Sequence, residues 1–124
     1  MNPTTHPEEA AVRVPLEHYL RGHATDDAAH MRQAFMPTAR IESVREGPLT
    51  SWTLDQYCLR FKGTPAADEA TRRRTIDAMD IGGTAASAKI TLVHGAVTFT
   101  DYFVLLKTEQ GWKIANKAFH AQPD

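Results

Sequence analysis

The second half of the chain consists of four runs in which apolar and polar side chains alternate, the pattern of strands with one buried face. Gly82-Gly83, His94-Gly95 and residues 108–111 separate the runs and are suited to tight turns, so each run can fold back on the one before it. The pattern predicts an antiparallel meander of strands over residues 72–81, 84–93, 96–107 and 112–121. One earlier run, residues 39–44, predicts a further strand.

The region before residue 63 carries helical patterns as well. Apolar residues recur at i, i+4, i+7 and i+8 near its start, which predicts a first helix with a buried stripe of Val12, Leu16, Tyr19 and Leu20. We expect this helix to end at Gly22. Pro15 lies within the pattern and either kinks the helix or marks its beginning, because proline donates no backbone hydrogen bond.

Two shorter helices are predicted after the first. Residues 25–27 provide capping and acidic side chains for a second helix, which ends at Pro37. Thr53 and Gln56 have the spacing of a capping box and predict the start of a third helix. Its apolar face comprises Leu54, Tyr57, Cys58 and Phe61. Residues 63–71 have no apolar period and are expected to form a loop.

Helices that precede an antiparallel sheet are typical of an α+β domain in which the helices cover one face of the sheet. We therefore expect one domain over residues 1–124, with three N-terminal helices packed on a curved antiparallel sheet and residues 1–6 as a disordered tail. A long, twisted sheet that curls around the helices leaves a cone. The mouth of that cone is the predicted pocket.

The composition narrows the classes of function. The chain has 14 basic and 15 acidic residues and a net charge of -1, which does not favour nucleic acid, because phosphate binding needs a concentrated positive surface. The single cysteine, Cys58, excludes an internal disulfide. No apolar stretch approaches the roughly 20 residues that cross a bilayer, and the N-terminus lacks the features of a secretory signal. We expect a cytoplasmic protein with no membrane partner.

Asp101 is the residue that fits its strand pattern least well. It shares one side of its strand with Phe99, Phe103 and Leu105. A carboxylate that faces a core is costly unless it is paired with a charge or protonated. The residues therefore leave three interpretations open: a structural ion pair with Lys117 of the next strand, a partly solvated position at the rim of the sheet, or a carboxyl that stays protonated.

The order of the elements and two segments, "YLRGHATDDAAHMRQAFMPTARIES" and "TDYFVLLKTEQGWKIANKAFH", resemble the nuclear transport factor 2-like superfamily. This superfamily includes SnoaL-like polyketide cyclases, steroid Δ5-3-ketoisomerases and scytalone dehydratase. Within it the chain is most similar to bacterial proteins labelled putative lumazine-binding. The matching positions are Tyr19, Gly22, Asp26, Ala34, Phe35, Pro37, Ala39, Asp101, Tyr102, Leu105, Leu106, Lys107, Gly111, Trp112, Lys113, Ile114, Asn116, Lys117 and Phe119. The resemblance covers nearly the whole chain except loop 63–71, and it implies the cystatin-like cone fold.

The ketosteroid isomerases provide the comparison that bears on activity. In that family a tyrosine of the first helix and a neutral strand aspartate form an oxyanion hole, while a carboxylate on the first strand moves the proton. The resemblance assigns these first two roles to Tyr19 and Asp101, the catalytic candidates. Ser43 stands at the position of the base, and Glu42 is predicted on the opposite face of its strand.

The sequence pattern does not identify a general base. The titratable candidates are His30, Asp77, Asp80 and Lys117, each of which also fits a solvated surface position. The remaining histidines are scattered and lack the spacing of a metal site. No metal and no cofactor is predicted.

The first hypothesis is a binding site for a small apolar or aromatic carbonyl compound, with isomerase, cyclase or dehydratase activity as its enzymatic form. The candidate ligand contacts are Trp52, Tyr57, Phe61, Phe103, Lys117 and Phe119. The resemblance also implies a homodimer formed through the outer face of the sheet. The alternative is a non-catalytic binding or assembly domain in which Asp101 and Lys117 form a structural ion pair.

Overall fold

The computed structural model describes residues 6–123, which form three α-helices and six β-strands. In chain order the elements are α1 (Glu9–Thr25), α2 (Ala28–Ala34), β1 (Arg40–Val44), β2 (Leu49–Thr53), α3 (Leu54–Cys58), a 3-10 turn (Glu69–Thr71), β3 (Arg73–Gly82), β4 (Ala85–His94), β5 (Val97–Thr108) and β6 (Gly111–Pro123). Of the predicted tail, residues 1–5 lie outside the described residues. His6 accepts a hydrogen bond at Nδ1 from the backbone N–H of Glu8, at 2.9 Å.

The strands form one sheet in the order β2-β1-β6-β5-β4-β3. The meander from β3 to β6 is antiparallel, as predicted, and Gly83 and Gly95 adopt φ values of 61° and 63° in its first two turns. The expectation of a purely antiparallel sheet is wrong, because β1 pairs with β6 in parallel. The alternation in residues 39–44 predicts which face of the sheet each side chain takes. It does not predict whether the neighbouring strand, which is distant in sequence, runs parallel or antiparallel.

Residues 49–53 form a strand that the sequence pattern did not predict. They form β2, which pairs with β1 through a tight turn at residues 45–48. Only Leu49 and Trp52 in this segment are large apolar residues, and β2 lies at the edge of the sheet, where one face need not be fully buried.

Helix α1 lies on the concave face of the sheet and places Tyr19 there. Val12, Leu16 and Tyr19 are fully buried along one stripe. The helix continues one turn beyond the predicted end at Gly22, and Pro15 lies inside it instead of starting it. Gly22 marks the contact with α2, since a Cβ atom at this position would lie 2.8 Å from Cε of Met31.

The α+β cone is confirmed. Helix α3 begins with the predicted capping box between Thr53 and Gln56. Register shifts occur in β3 between Ile76 and Ala78, and in β5 between Val104 and Leu105. Such bulges bend a sheet locally. The bent sheet wraps the helices and leaves an open end beside α3, where the site described next is located.

Candidate functional site

Three polar side chains from three elements meet beneath α1. Lys117 of β6 donates a hydrogen bond from Nζ to the hydroxyl of Tyr19, at 2.7 Å, and the Tyr19 hydroxyl donates to Oδ2 of Asp101 on β5. The Lys117 Nζ lies 3.9 Å from the same Oδ2 atom, so the two ions interact mainly through the phenol. Lys117 also donates to the hydroxyl of Tyr57 from α3, at 3.3 Å. The result is one connected network of opposite charges and neutral phenols.

The network is removed from solvent. Tyr19 and Asp101 are 0% exposed, and Lys117 and Tyr57 are each 5% exposed. Burial raises the pKa of Asp101 above its ordinary value, although Lys117 and the Tyr19 hydrogen bond act against this, and burial lowers the pKa of Lys117. Burial also raises the pKa of both phenols, which therefore stay neutral. The pKa values of the Asp101 carboxyl and the Lys117 amine thus approach each other, so one proton can lie on either group.

Asp101 keeps one oxygen atom outside this network. Within residues 6–123, no group donates a hydrogen bond to its Oδ1 atom, which is buried. A buried carboxyl oxygen without a donor is costly, and such atoms are rare in native proteins. Lys117 also has one unused position on Nζ. If it is an ammonium, its third hydrogen has no acceptor among the described side chains, and if it is a neutral amine, its lone pair has no donor there. The network is therefore incomplete on two of its atoms.

A cavity of about 220 Å3 reaches Asp101 and Lys117 from the open end of the cone. Its lining residues are His23, Asp26, Arg45, Trp52, Tyr57, Arg60, Phe61, Leu92, His94, Phe99, Asp101, Lys117 and Phe119. Five of these side chains are aromatic rings, and the Arg60 guanidinium lies 4.5 Å above the centre of the Trp52 ring at the exposed side. The cavity is thus apolar along its walls and polar at its deep end, as ligand sites commonly are.

The predicted site residues occupy different positions relative to this cavity. Trp52, Tyr57, Phe61, Lys117, Phe119 and Asp101 line it. Tyr19 lies behind Asp101, outside the lining, with its hydroxyl engaged on both sides. Phe103 packs edge-on against Tyr19 with ring centres 4.9 Å apart. Phe103 therefore lies in the core between α1 and the sheet.

The residues considered as bases are, apart from Lys117, not at the cavity. Ser43 is buried next to it on β1, and its Oγ has no hydrogen-bond partner among the described residues. His30 contacts His18 at 3.1 Å between α1 and α2. Asp77 is exposed and accepts a hydrogen bond from Thr91, and Asp80 is exposed on β3.

Sequence reasoning did not select seven of the lining residues, which are His23, Asp26, Arg45, Arg60, Leu92, His94 and Phe99. His23, His94 and Phe99 are the three of them with a ring. His23 follows Tyr19 by four residues and lies on the same side of α1, but the predicted helix ended at Gly22. His94 was assigned to a turn and is the last residue of β4. Phe99 shares its strand face with Asp101. The alternation of faces along β5 could therefore have identified it as a lining residue.

Both histidines at the cavity are kept neutral. Burial lowers the pKa of His23 well below its ordinary value of 6.5, and the positive charge of Lys117 acts in the same direction. Burial and the guanidinium of Arg74 lower the pKa of His94 to about 4. The Nε2 atom of His23 lies 3.4 Å from the Tyr57 hydroxyl, so the hydrogen-bonded network extends to α1 a second time.

These shifts predict that acid destabilises the protein. The unfolded histidines bind protons below about pH 6.5, whereas the folded state lowers the pKa of both, that of His94 to about 4. The stability that this contributes is present above pH 6.5 and is lost as the pH falls through the folded pKa values. We expect the free energy of unfolding to fall by about 2 kcal/mol between pH 7 and pH 5, with solvent screening at His94 allowed for. Urea unfolding at both pH values measures this loss.

The histidine contribution can be separated from that of Asp101, which has the opposite sign because its folded pKa is raised. His23→Gln and His94→Gln should each reduce the loss between pH 7 and pH 5. His120→Gln, a change at an exposed position of β6, should leave it unchanged. An equal loss in the wild type and both cavity variants would contradict the assignment.

No cluster of three or more histidine, cysteine or acidic side chains is positioned to hold a metal ion among residues 6–123. Within the same range, no helix has the length and apolar character required to cross a membrane.

Comparison with known proteins identifies similar chains. A family model described as "Putative lumazine-binding" matches residues 7–120. A nuclear transport factor 2-like protein of unknown function from Shewanella baltica is 31% identical, with a TM-score of 0.86 over 99% of this chain and 100% of that one. Another, from Methylobacillus flagellatus, is 25% identical, with a TM-score of 0.80 over 98% of each chain.

A ketosteroid isomerase-like protein from Erwinia carotovora shares the fold at 12% identity, with a TM-score of 0.68 over 97% of this chain and 100% of that one. No curated protein matches the sequence.

Proposed function

The chain belongs to the family described as "putative lumazine-binding", within the nuclear transport factor 2-like superfamily, and we propose that it binds a small, flat carbonyl compound in the cavity beside Asp101 and Lys117. The observation that carries this proposal is the incomplete hydrogen bonding of Asp101 and Lys117 at the deep end of an aromatic cavity. The aromatic walls favour a flat ligand, and the polar end favours an acceptor oxygen.

The polar end offers one hydrogen-bond donor in either arrangement of the shared proton. If Lys117 is an ammonium, Tyr19 and Tyr57 accept two of its hydrogens and the third is free for a ligand. If the proton lies on Asp101, it lies on Oδ1, because Oδ2 already accepts from Tyr19. Both arrangements have no net charge, which favours a neutral carbonyl oxygen over a charged group.

Asp101 and Lys117 are therefore the residues that hold the ligand oxygen in this proposal. Tyr19 acts through both of them as a positioning residue, because its hydroxyl is fully engaged. A polarised carbonyl is the starting point for isomerase, cyclase or dehydratase chemistry. The neutral imidazole of His23 lines the same cavity and is one of the groups there that can accept a proton.

Lumazine, which the description of the family names, is itself a flat ring compound with carbonyl groups. It therefore belongs to the ligand class that the cavity favours. Lumazine should compete with smaller carbonyl compounds for the same site. The fluorescence of Trp52, which lines the cavity, can report this competition.

A matched pair of ligands tests the proposal. Acetophenone and ethylbenzene have nearly the same shape, and only acetophenone has a carbonyl oxygen. We expect calorimetric titration to show acetophenone binding about tenfold more tightly than ethylbenzene, the effect of one buried hydrogen bond. The double variant Lys117→Met/Asp101→Leu, which removes both possible donors, should remove this preference, and Lys62→Met, at an exposed position, should not. Equal affinities of the wild type for the two ligands would show that the cavity binds apolar compounds without a hydrogen bond to the carbonyl oxygen, which contradicts the proposal.

We propose further that two copies of the chain pair through the outer face of the sheet. Tyr102, Val104 and Leu106 point outwards from β5 and remain 54%, 50% and 41% exposed. A groove of about 540 Å3 runs across the same face. Apolar side chains in one row on a sheet are typical of an interface.

Val104→Asp should weaken this dimer by about 100-fold, because a carboxylate would be buried in the interface without a partner. Sedimentation velocity over a range of concentrations measures the change. Leu59→Asp is the control, since Leu59 is 82% exposed and lies on α3's side of the protein, away from this face. A wild type that is monomeric at every concentration, or a Val104→Asp variant that remains dimeric, would contradict the proposed interface.

A further inference from the structure

Lys117 differs from the other lysines of the chain. Its side chain is 4% exposed, whereas Lys62, Lys89, Lys107 and Lys113 are exposed or only partly buried. Its Nζ atom lies 4.7 to 5.0 Å from the centres of three aromatic rings, those of Tyr19, Tyr57 and Phe119. Lys117 is thus an amine inside an aromatic cavity that is large enough for a small molecule.

The hydrogen bonds of Lys117 leave its nitrogen able to react. Both acceptors, Tyr19 and Tyr57, are neutral phenols, and neither binds an ammonium as strongly as a carboxylate would. The Asp101 carboxyl is at 3.9 Å, beyond hydrogen-bond distance. Burial lowers the pKa of Lys117, so more of the amine is unprotonated than in a solvated lysine. The neutral amine would donate both hydrogens to the phenols and keep its lone pair free.

We propose that Lys117 is a nucleophile that forms a Schiff base with the carbonyl carbon of a small, flat aldehyde held in this cavity. The inference rests on the proposed function, since the same cavity holds the carbonyl compound. It goes further in naming an aldehyde as the reactive ligand and a covalent, reversible bond as the mode of binding. Buried lysines in apolar pockets commonly carry out this chemistry.

The step balances with Asp101 as the proton carrier. The Nζ lone pair forms a bond to the carbonyl carbon, the C=O π pair moves to oxygen, and the oxygen takes the proton of Asp101. The nitrogen then returns one proton to the Asp101 carboxylate. Asp101 passes it to the hydroxyl, the C–O bond breaks, and water leaves as the C=N bond forms. Amine, protonated carboxyl and aldehyde thus become iminium, carboxylate and water, with no change of oxidation state.

Tyr19 positions both reacting groups through its hydrogen bonds to Lys117 and Asp101. The phenol of Tyr57 holds the amine from the other side. Hydrolysis by water entering the cavity reverses every step, so the adduct persists only while the aldehyde is present or after reduction.

Reductive trapping tests the inference on the full, folded chain. Benzaldehyde and cyanoborohydride are added at pH 7.5, and peptide mass analysis reports the benzyl adduct on each lysine. We expect Lys117 to be labelled at least about tenfold faster than Lys62, Lys89, Lys107 or Lys113, because the cavity holds the aldehyde beside an amine whose pKa is lowered by burial. Protein unfolded in urea should lose this preference. Acetophenone should slow the labelling of Lys117 alone.

The outcomes separate this inference from the proposed function. If acetophenone binds with its carbonyl preference and Lys117 is not labelled faster than the surface lysines, the Schiff base is refuted and the binding function stands. If Lys117 is labelled selectively and acetophenone does not bind, the nucleophile is supported and the carbonyl-binding proposal fails for ketones. Labelling that is uniform over all lysines overturns the inference. Asp101→Asn should reduce the Lys117 rate and leave the surface lysines unchanged.

Discussion

Lys117→Met lowers the free energy of unfolding by about 3 to 5 kcal/mol at pH 7, the cost of leaving a buried charge without its partner. Methionine fills a similar volume among the aromatic rings, so the effect comes mainly from the lost charge and hydrogen bonds. Asp101, which is 0% exposed, then has no positive neighbour and its pKa rises further. Chemical denaturation of the wild type and the variant measures the difference.

Three comparisons make this result specific. The loss should be smaller at pH 5 than at pH 7, because a carboxyl whose folded pKa is raised stabilises the folded state at low pH and loses that stabilisation as the pH rises. The double variant Lys117→Met/Asp101→Asn should recover most of the loss, since no buried charge remains. Lys62→Met should change stability by less than about 0.5 kcal/mol. A Lys117→Met variant as stable as the wild type would mean that the pair does not interact.

Tyr19→Phe lowers the free energy of unfolding by about 2 to 3 kcal/mol, because one hydroxyl serves both charged groups. Its removal takes the donor from Oδ2 of Asp101 and the nearer acceptor from Lys117, and hydrogen bonds to charged groups contribute more than neutral ones. The phenyl ring keeps its contact with Phe103, so no cavity is created. Urea denaturation at pH 7 measures the change.

Tyr102→Phe is the matched control for this variant. It removes the same atom from a phenol that is 54% exposed on the outer sheet face, and at protein concentrations where the chain is monomeric its effect should stay within about 0.5 kcal/mol. If Tyr19→Phe has an effect as small as the control, the hydrogen bonds of Tyr19 do not hold the network together.

The elements of the fold were largely predictable because their signals are local. The alternation in residues 96–107 placed Asp101 on the buried face, and the Thr53 to Gln56 spacing located the start of α3. The parallel pairing of β1 with β6 was not predictable in this way. It joins Ile41 to Lys117 and Ser43 to Phe119, residues far apart in the chain, and periodicity reports the face of a residue without reporting its neighbour.

The candidate site was predictable only in part, for the same reason. Tyr19 and Asp101 were associated through a family resemblance and not through spacing. Lys117 was foreseen as an ion-pair partner or a ligand contact, but not as an amine held by two phenols. His23 was placed in the site by one additional turn of α1, a helix end that local residue preferences define poorly.

The position of Ser43 separates this site from the arrangement that the ketosteroid isomerases use. The first strand contributes a small hydroxyl there, and the groups able to move protons lie on α1, β5 and β6 instead. In the proposed function, Asp101 and Lys117 together hold a carbonyl oxygen. Proton transfer would depend on His23 or on Lys117, which lie on the walls of the same cavity.

The central claim is that the deep end of the cavity donates a hydrogen bond to a carbonyl oxygen. The most direct test is the 13C resonance of acetophenone labelled at its carbonyl carbon, recorded with excess protein. The claim predicts a downfield shift on binding to the wild type, because a hydrogen bond polarises the carbonyl, and a loss of that shift in Lys117→Met/Asp101→Leu, which has neither donor. A ligand that binds while its carbonyl resonance stays where an apolar solvent places it would contradict the claim.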